Sequence, residues 1–269
     1  MAEPALELLL RRERTIIWGV LALLVGIAWL WVLLGAGTGM SATAMSTWRF
    51  PPPRPATLMQ GEWSPAYWLT MLLMWWAMMI AMMVPSAAPM ILLYARVARG
   101  KTRAEAKSAL APTTDFAAGY LACWLGFSAL AVALQFALDR SGLIDGIMMW
   151  STERVLTAGL LIAAGLYQLS PQKATCLTQC RSPVEFLVRH WRPGRRGAFD
   201  MGLIHGAYCL GCCWALMLLL FAAGIMNLVW IAGLAFVVLL EKLAPFGEKL
   251  RKPLAALLIV GGAGLLASG

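Results

Sequence analysis

Residues 67–97 read YWLTMLLMWWAMMIAMMVPSAAPMILLYARV, and no charged side chain occurs between Glu62 and Arg96. The ~20 apolar residues that cross a hydrocarbon core fit inside such a run with room to spare. This stretch therefore decides the class of fold. The rest of the 269-residue chain agrees: 61% of it is hydrophobic and 13% charged, too apolar for one water-soluble core. Seven segments read as spans, roughly residues 16–37, 66–94, 114–138, 147–169, 201–224, 226–243 and 253–268. The last is short and glycine-rich, so six spans is the alternative count. The expectation is an all-α, polytopic transmembrane helix bundle forming a single integral membrane domain over 1–269.

The net charge of +9 comes from 22 Lys and Arg residues, and their placement explains it. Arg11, Arg12 and Arg14 precede the first span; Arg96, Arg99, Lys101, Arg103 and Lys107 follow the second. Lys173, Arg181, Arg189, Arg192, Arg195 and Arg196 follow the fourth, and Lys242, Lys249, Arg251 and Lys252 the sixth. Only Arg49, Arg54, Arg140 and Arg154 fall on the other side. The positive-inside rule then places the N-terminus (1–15) in the cytoplasm and the C-terminus outside. No aromatic-and-basic module accompanies these loops, so nucleic acid is not an expected partner; the lipid bilayer is. RRER before the first span and Ser-Ala-Thr-Ala at 41–44 suggest a signal peptide. The apolar run is longer than the ~7–15 residues of a signal core, which favours a retained anchor.

The connections differ in character. Residues 38–65 hold Trp48, Phe50, Pro51, Pro52, Pro53, Pro55, Trp63 and Pro65; prolines forbid a regular helix and tryptophans favour the interface, so this outside loop should lie on the membrane surface, placed to act as a lid. TRAEAKSAL in the 96–113 connection suits a short helix. The longest inside connection is 170–200, a cytoplasmic loop containing Cys176 and Cys180. No soluble domain fits anywhere, and no internal repeat supports an inverted-repeat transporter.

Chemistry concentrates in HGAYCLGCCWALM, residues 205–217. At ~100° per residue, His205, Cys209, Cys212 and Cys213 fall within an arc of about 100° and form one stripe, His205 about one turn into the membrane and the cysteines deeper. Thiolates suit Cu(I), Zn(II) or iron–sulfur clusters, and imidazole adds a borderline donor. Cys176 and Cys180, four apart, would meet on a helical turn. Buried Cys is also an ordinary small hydrophobe, the preferred reading for Cys123, alone on the third span. Gly202 and Gly206 flank His205 in a Gly-x-x-x-Gly pair that admits a close neighbouring helix.

Seven of the sixteen methionines lie in the second span. Met71, Met74, Met78 and Met82 cluster within about 80° of arc, and Met79, Met83 and Met90 continue the face. Thioethers bind Cu(I) weakly and without charge, so Met78, Met79, Met82 and Met83 could pass it along; Met is equally a gap-filler. Pro85 and Pro89 should kink or unwind this helix and turn Ser86 toward a protein-lined cavity. That lies at the depth of His205 and Cys209, so the second and fifth spans are expected to meet. Glu241 and Lys242, at the inner end of the sixth span, read as an interfacial pair. No Ser-His-Asp set, phosphate-binding glycine loop or paired carboxylates appear, so an enzyme is not expected.

AMMIAMMVPSAAPM at 77–90, YQLSPQKATCLTQCRSP at 167–183, HGAYCLGCCWALMLLLFAAG at 205–224 and EKLAPFG at 241–247 resemble a bacterial family of predicted metal-binding integral membrane proteins, a domain of unknown function. The resemblance covers about residues 66–250. It implies the bacterial inner membrane and metal binding by Cys176, Cys180, His205, Cys209, Cys212 and Cys213, but no substrate. Together these readings predict a membrane-embedded protein handling Cu(I), with zinc as the alternative ion, as a carrier or metallochaperone for copper-enzyme assembly. A transmembrane thiol–disulfide relay through Cys209 and Cys212, or a non-catalytic subunit of a larger membrane complex, are the competing readings.

Overall fold

A computed structural model describes residues 3–53, 60–102 and 110–268 of the chain. Ten α-helices follow one another: α1 (Glu3–Leu33), α2 (Pro65–Thr102), α3 (Leu110–Arg140), α4 (Arg154–Leu169), α5 (Pro171–Arg181), α6 (Pro183–His190), α7 (Gly194–Met217), α8 (Leu219–Ala223), α9 (Leu228–Leu243) and α10 (Arg251–Ala267). A 3₁₀ turn, Gly247–Leu250, leads into α10. Among the described residues the one extended pairing is an isolated bridge, Ile144 with Ser151, so the protein is all-α as expected. Residues 103–109 of the TRAEAKSAL segment, with Arg103 and Lys107, and Arg54 with Pro55, lie outside the described residues.

Among the described residues, five stretches are long and apolar enough to cross a membrane: Arg14–Leu33, Pro65–Arg99, Leu110–Arg140, Gly194–Ala223 and Gly247–Ala267. The other two expected spans, α4 and α9, are 16 residues each. The fourth starts at Arg154 rather than 147 because Asp145 diverts the chain. Its carboxylate accepts from the backbone N–H of Ile147 (3.0 Å) and Met148 (2.6 Å), a local bond that competes with the helix.

The 170–200 segment is not a loop but mostly helix. Ser170 caps α5 by accepting from Lys173 N at 3.1 Å, and Pro171 and Pro183 open α5 and α6, where a missing N–H costs nothing. α7 likewise begins at Gly194, seven residues before the expected 201. Pro85 and Pro89 do not unwind α2, which runs unbroken through both.

Two glycine-lined crossings set the helix arrangement. A Cβ at Gly202 would strike the Phe116 carbonyl, and one at Gly119 the Phe199 carbonyl; at Gly206 it would lie 2.6 Å from Cys123 Cβ. α3 and α7 thus touch backbone to backbone, as the Gly-x-x-x-Gly pair predicts. Gly165 and Gly262 do the same for α4 and α10.

Side-chain contacts gather the helix ends into two opposite groups. At the basic end, Arg195 bonds Asp115 (2.7 Å), Arg251 bonds the Gln168 and Ser170 carbonyls, and Trp191 stacks on Tyr94. At the other end Asn227 Nδ2 donates to Thr47 O (3.0 Å), Leu228 N to Ser46 Oγ (2.9 Å), and Phe50 packs on Trp230. The Pro/Trp loop is thereby fastened down, with Trp63 bonded to the buried Asp139 and Gly61 N donating to the same oxygen at 3.1 Å.

Candidate metal centre

α7 carries the chemistry. His205, Cys209, Cys212 and Cys213 are all buried, as one stripe predicts, but the neighbouring helices divide that stripe among themselves. Cys209 Sγ faces α3 and α9, 3.0 Å from Tyr120 Oη and 2.8 Å from Lys242 Nζ. Lys242 Nζ also donates to Ser86 Oγ at 3.2 Å, and Ser86 in turn to the Met83 carbonyl at 2.8 Å. Cys213 Sγ lies 3.8 Å from Met83 Sδ. Cys212 turns the other way, toward α5, where its thiol meets that of Cys180.

α5 thus covers α7 with its own two thiols. Cys176 sits over Gly211, where a Cβ would come within 2.7 Å of Cys176 Sγ. Burial, and after it the neighbouring Cys212, hold the Cys176 thiol above its ordinary range. Tyr167 bonds the Gly211 carbonyl from α4, fixing the same turn of α7. All six cysteines are free.

Among the described residues, no three His, Cys, Asp or Glu side chains are disposed to hold a metal ion. The reason is local. Cys212 and Cys213 each donate to the Cys209 carbonyl at 3.0 Å, so their thiols fold back on their own helix and would have to rotate to reach a shared ion. His205 lies among Phe116, Tyr120 and Phe186, ring centroids 5.1–6.1 Å away. Its Nδ1 is buried with no hydrogen-bond partner.

The expected meeting of the second and fifth spans takes a narrower form than the matching depths suggest. α7 packs chiefly on α3 and α5, while α2 packs on α1, α3 and α9. α2 reaches the thiols through the Met83 thioether and the Lys242 ammonium through Ser86. Met78, Met79 and Met82 are fully buried with Met83, and Met71 Sδ accepts from Gln135 Nε2 at 3.5 Å. Cys123 packs on Gly206.

Glu241 and Lys242 do not form the interfacial pair read from the sequence. Both are buried, and adjacent residues on a helix point apart. Glu241 accepts from Lys173 Nζ on α5 at 2.6 Å and from Gln168 Nε2 on α4 at 3.1 Å, while Arg181 Nη1 bonds its carbonyl at 2.6 Å. Lys242 goes to Cys209. Sequence reasoning missed Lys242, Tyr120 and Lys173. The available signal was a charged pair inside an otherwise apolar helix, where an ionisable side chain calls for a buried partner.

Fold and site together define a class: an all-helical protein with membrane-length apolar helices that encloses free thiols, a thioether and the Lys242 ammonium near its basic end. The PpoB2 family, described as copper chaperone, matches residues 72–265. The chain belongs to this copper chaperone family. The match spans α2 to α10 and includes every cysteine. No curated protein and no solved structure matches the chain.

Proposed function

We propose that this chaperone carries Cu(I) as cargo within the bilayer, at the thiols of α7 and α5. Cys209, Cys212 and Cys213 supply the intramembrane donors, with His205 beside them. Cys176 and Cys180 take the ion from, or pass it to, the cytoplasmic face. Met83 joins this site to a row of Met82, Met79 and Met78, along which an uncharged thioether path leads outward. The observation that carries the reading is the convergence of the buried Cys209, Cys212 and Cys213 with the Met83 thioether, and of the half-buried Cys180 with Cys212. A soft donor set of this kind suits Cu(I), and rotating two thiols off the Cys209 carbonyl frees them to bind it.

The basic end faces the cytoplasm by the positive-inside rule. With α4 and α9 crossing as short spans, the chain passes seven times through a bacterial inner membrane and acts as a single membrane domain. Its recipient is a copper enzyme under assembly, which receives the ion at the outer end of the methionine row.

Anaerobic purification in detergent followed by elemental analysis tests this. Wild type should hold about one copper per chain, and a variant with Cys209, Cys212 and Cys213 changed to Ser should hold none. Wild-type protein that takes up neither Cu(I) nor Zn(II) would remove the reading.

A further inference from the structure

Lys242 is a cation placed where a cation is to bind. Its Nζ lies 2.8 Å from Cys209 Sγ and 3.2 Å from Ser86 Oγ, and the side chain is buried. Of the other charged groups nearby, Glu241 belongs to Lys173. Cys209 is in contact with the ammonium, and Cys180, Cys212, Cys213, His205 and Tyr120 are the other titratable groups within its field.

The thiols and the imidazole by themselves do not choose between copper and zinc, since both ions accept them, and the Met83 thioether alone leans toward Cu(I). Charge does choose. A metal bound to Cys209 Sγ at ~2.3 Å would stand no more than ~5 Å from the present position of Nζ. The repulsion from a fixed positive charge scales with the charge of the incoming ion. A divalent ion therefore meets twice the penalty of a monovalent one, in a setting that water and salt screen poorly. We propose that Lys242 is a specificity-determining residue of this site, its ammonium disfavouring divalent ions such as Zn(II) and leaving Cu(I) as the ion the thiols accept.

This rests on the copper-site reading above and adds to it a reason for monovalent selectivity. One extra unit of charge at this separation corresponds to a factor on the order of a hundred in binding constant, at an effective dielectric of about 20. Rearrangement of the long side chain will reduce that factor.

The test is a ratio. Dissociation constants for Cu(I) and Zn(II) would be measured anaerobically, by competition with chromophoric chelators, on full-length protein in detergent. Wild type, K242L and K242R would be compared. K242L, neutral and without a donor atom, should shift the Zn(II)-to-Cu(I) preference toward zinc by at least ~10-fold, and K242R, which keeps the charge, should stay within ~3-fold of wild type. Should K242L not fold, K242Q removes the charge while keeping a polar head against Ser86, and the same ratio is read from it. A preference unchanged in the neutral variant, or shifted as far in K242R, overturns the assignment and leaves the copper site standing. Wild type without thiol-dependent copper binding removes both.

Discussion

Gly202 shows at the scale of one residue how a missing side chain builds the site. Its Cα hydrogen faces the Phe116 carbonyl, and this contact sets how near α3 approaches α7, hence whether Tyr120 reaches Cys209. Gly202→Val should separate the helices, because the obstacle is backbone and has nowhere to move. The expected result is a large fall in thermal stability in detergent, of the size seen for overpacked cores, about 1–3 kcal/mol or more. Gly233→Ala provides the contrast. Nothing lies within 4 Å of its would-be Cβ, and a helical Gly exchanged for Ala gains up to about 1 kcal/mol. A melting temperature that falls equally in both variants would refute the crossing argument.

Among the elements, α5 is tied to α9 at both its ends, by Lys173 in its first turn and Arg181 in its last, and the first of these ties is a buried ion pair. It lies across α7 with Cys176 and Cys180 facing inward, and its first turn is tied to α9 through Lys173 and Glu241, each about 1% exposed. Breaking one partner of a buried pair leaves the other charge uncompensated and costs about 3–5 kcal/mol. Glu241→Gln should therefore destabilise the protein and loosen α5. The measurement is the rate at which Cys176 and Cys180 are alkylated, in a background lacking the other four cysteines. It should rise several-fold over the intact pair. In that background with Glu241 retained, Cys176 should react more slowly than an ordinary exposed thiol at neutral pH, because its raised pKa leaves less thiolate and the deficit closes as pH rises past its folded value. Equal rates with and without Glu241 would show that the ion pair does not hold α5 in place.

Taken whole, the molecule has a charge asymmetry that predicts its orientation. The helix ends joined by Arg195–Asp115, Arg251–Gln168 and Lys173–Glu241 lie together, opposite the end closed by Asn227–Thr47 and Trp63–Asp139. Reporter insertions near residues 104 and 192 should be cytoplasmic, and those near 57 and at the C-terminus external. A C-terminus on the same side as residue 104 would mean that α10, or one of the 16-residue helices α4 and α9, does not cross.

Hydrophobic length was enough to determine an all-α fold with membrane-length helices, because apolar runs of this length have one stable arrangement in lipid. Helical periodicity likewise put His205 and the three cysteines of α7 on one buried stripe, and the Gly202–Gly206 pair marked a close crossing on α7. Both are properties of a single helix and can be read from its own residues. Which neighbours share that stripe was a tertiary matter. Tyr120, Ser86 and Lys242 come from three helices, 89, 123 and 33 positions from Cys209 along the chain, and nothing local to any of them signals the others. The expected loop at 170–200 became helix, and the expected Glu241–Lys242 pair was split between two partners. The helix Pro171–Arg181 has a local signal in its Ser170 cap and Pro171, whereas for the pair the deciding contacts lay far off in sequence: Lys173 for Glu241, and Cys209 for Lys242. Buried charges and thiols must find partners once water is excluded, and only the assembled bundle decides which ones they meet.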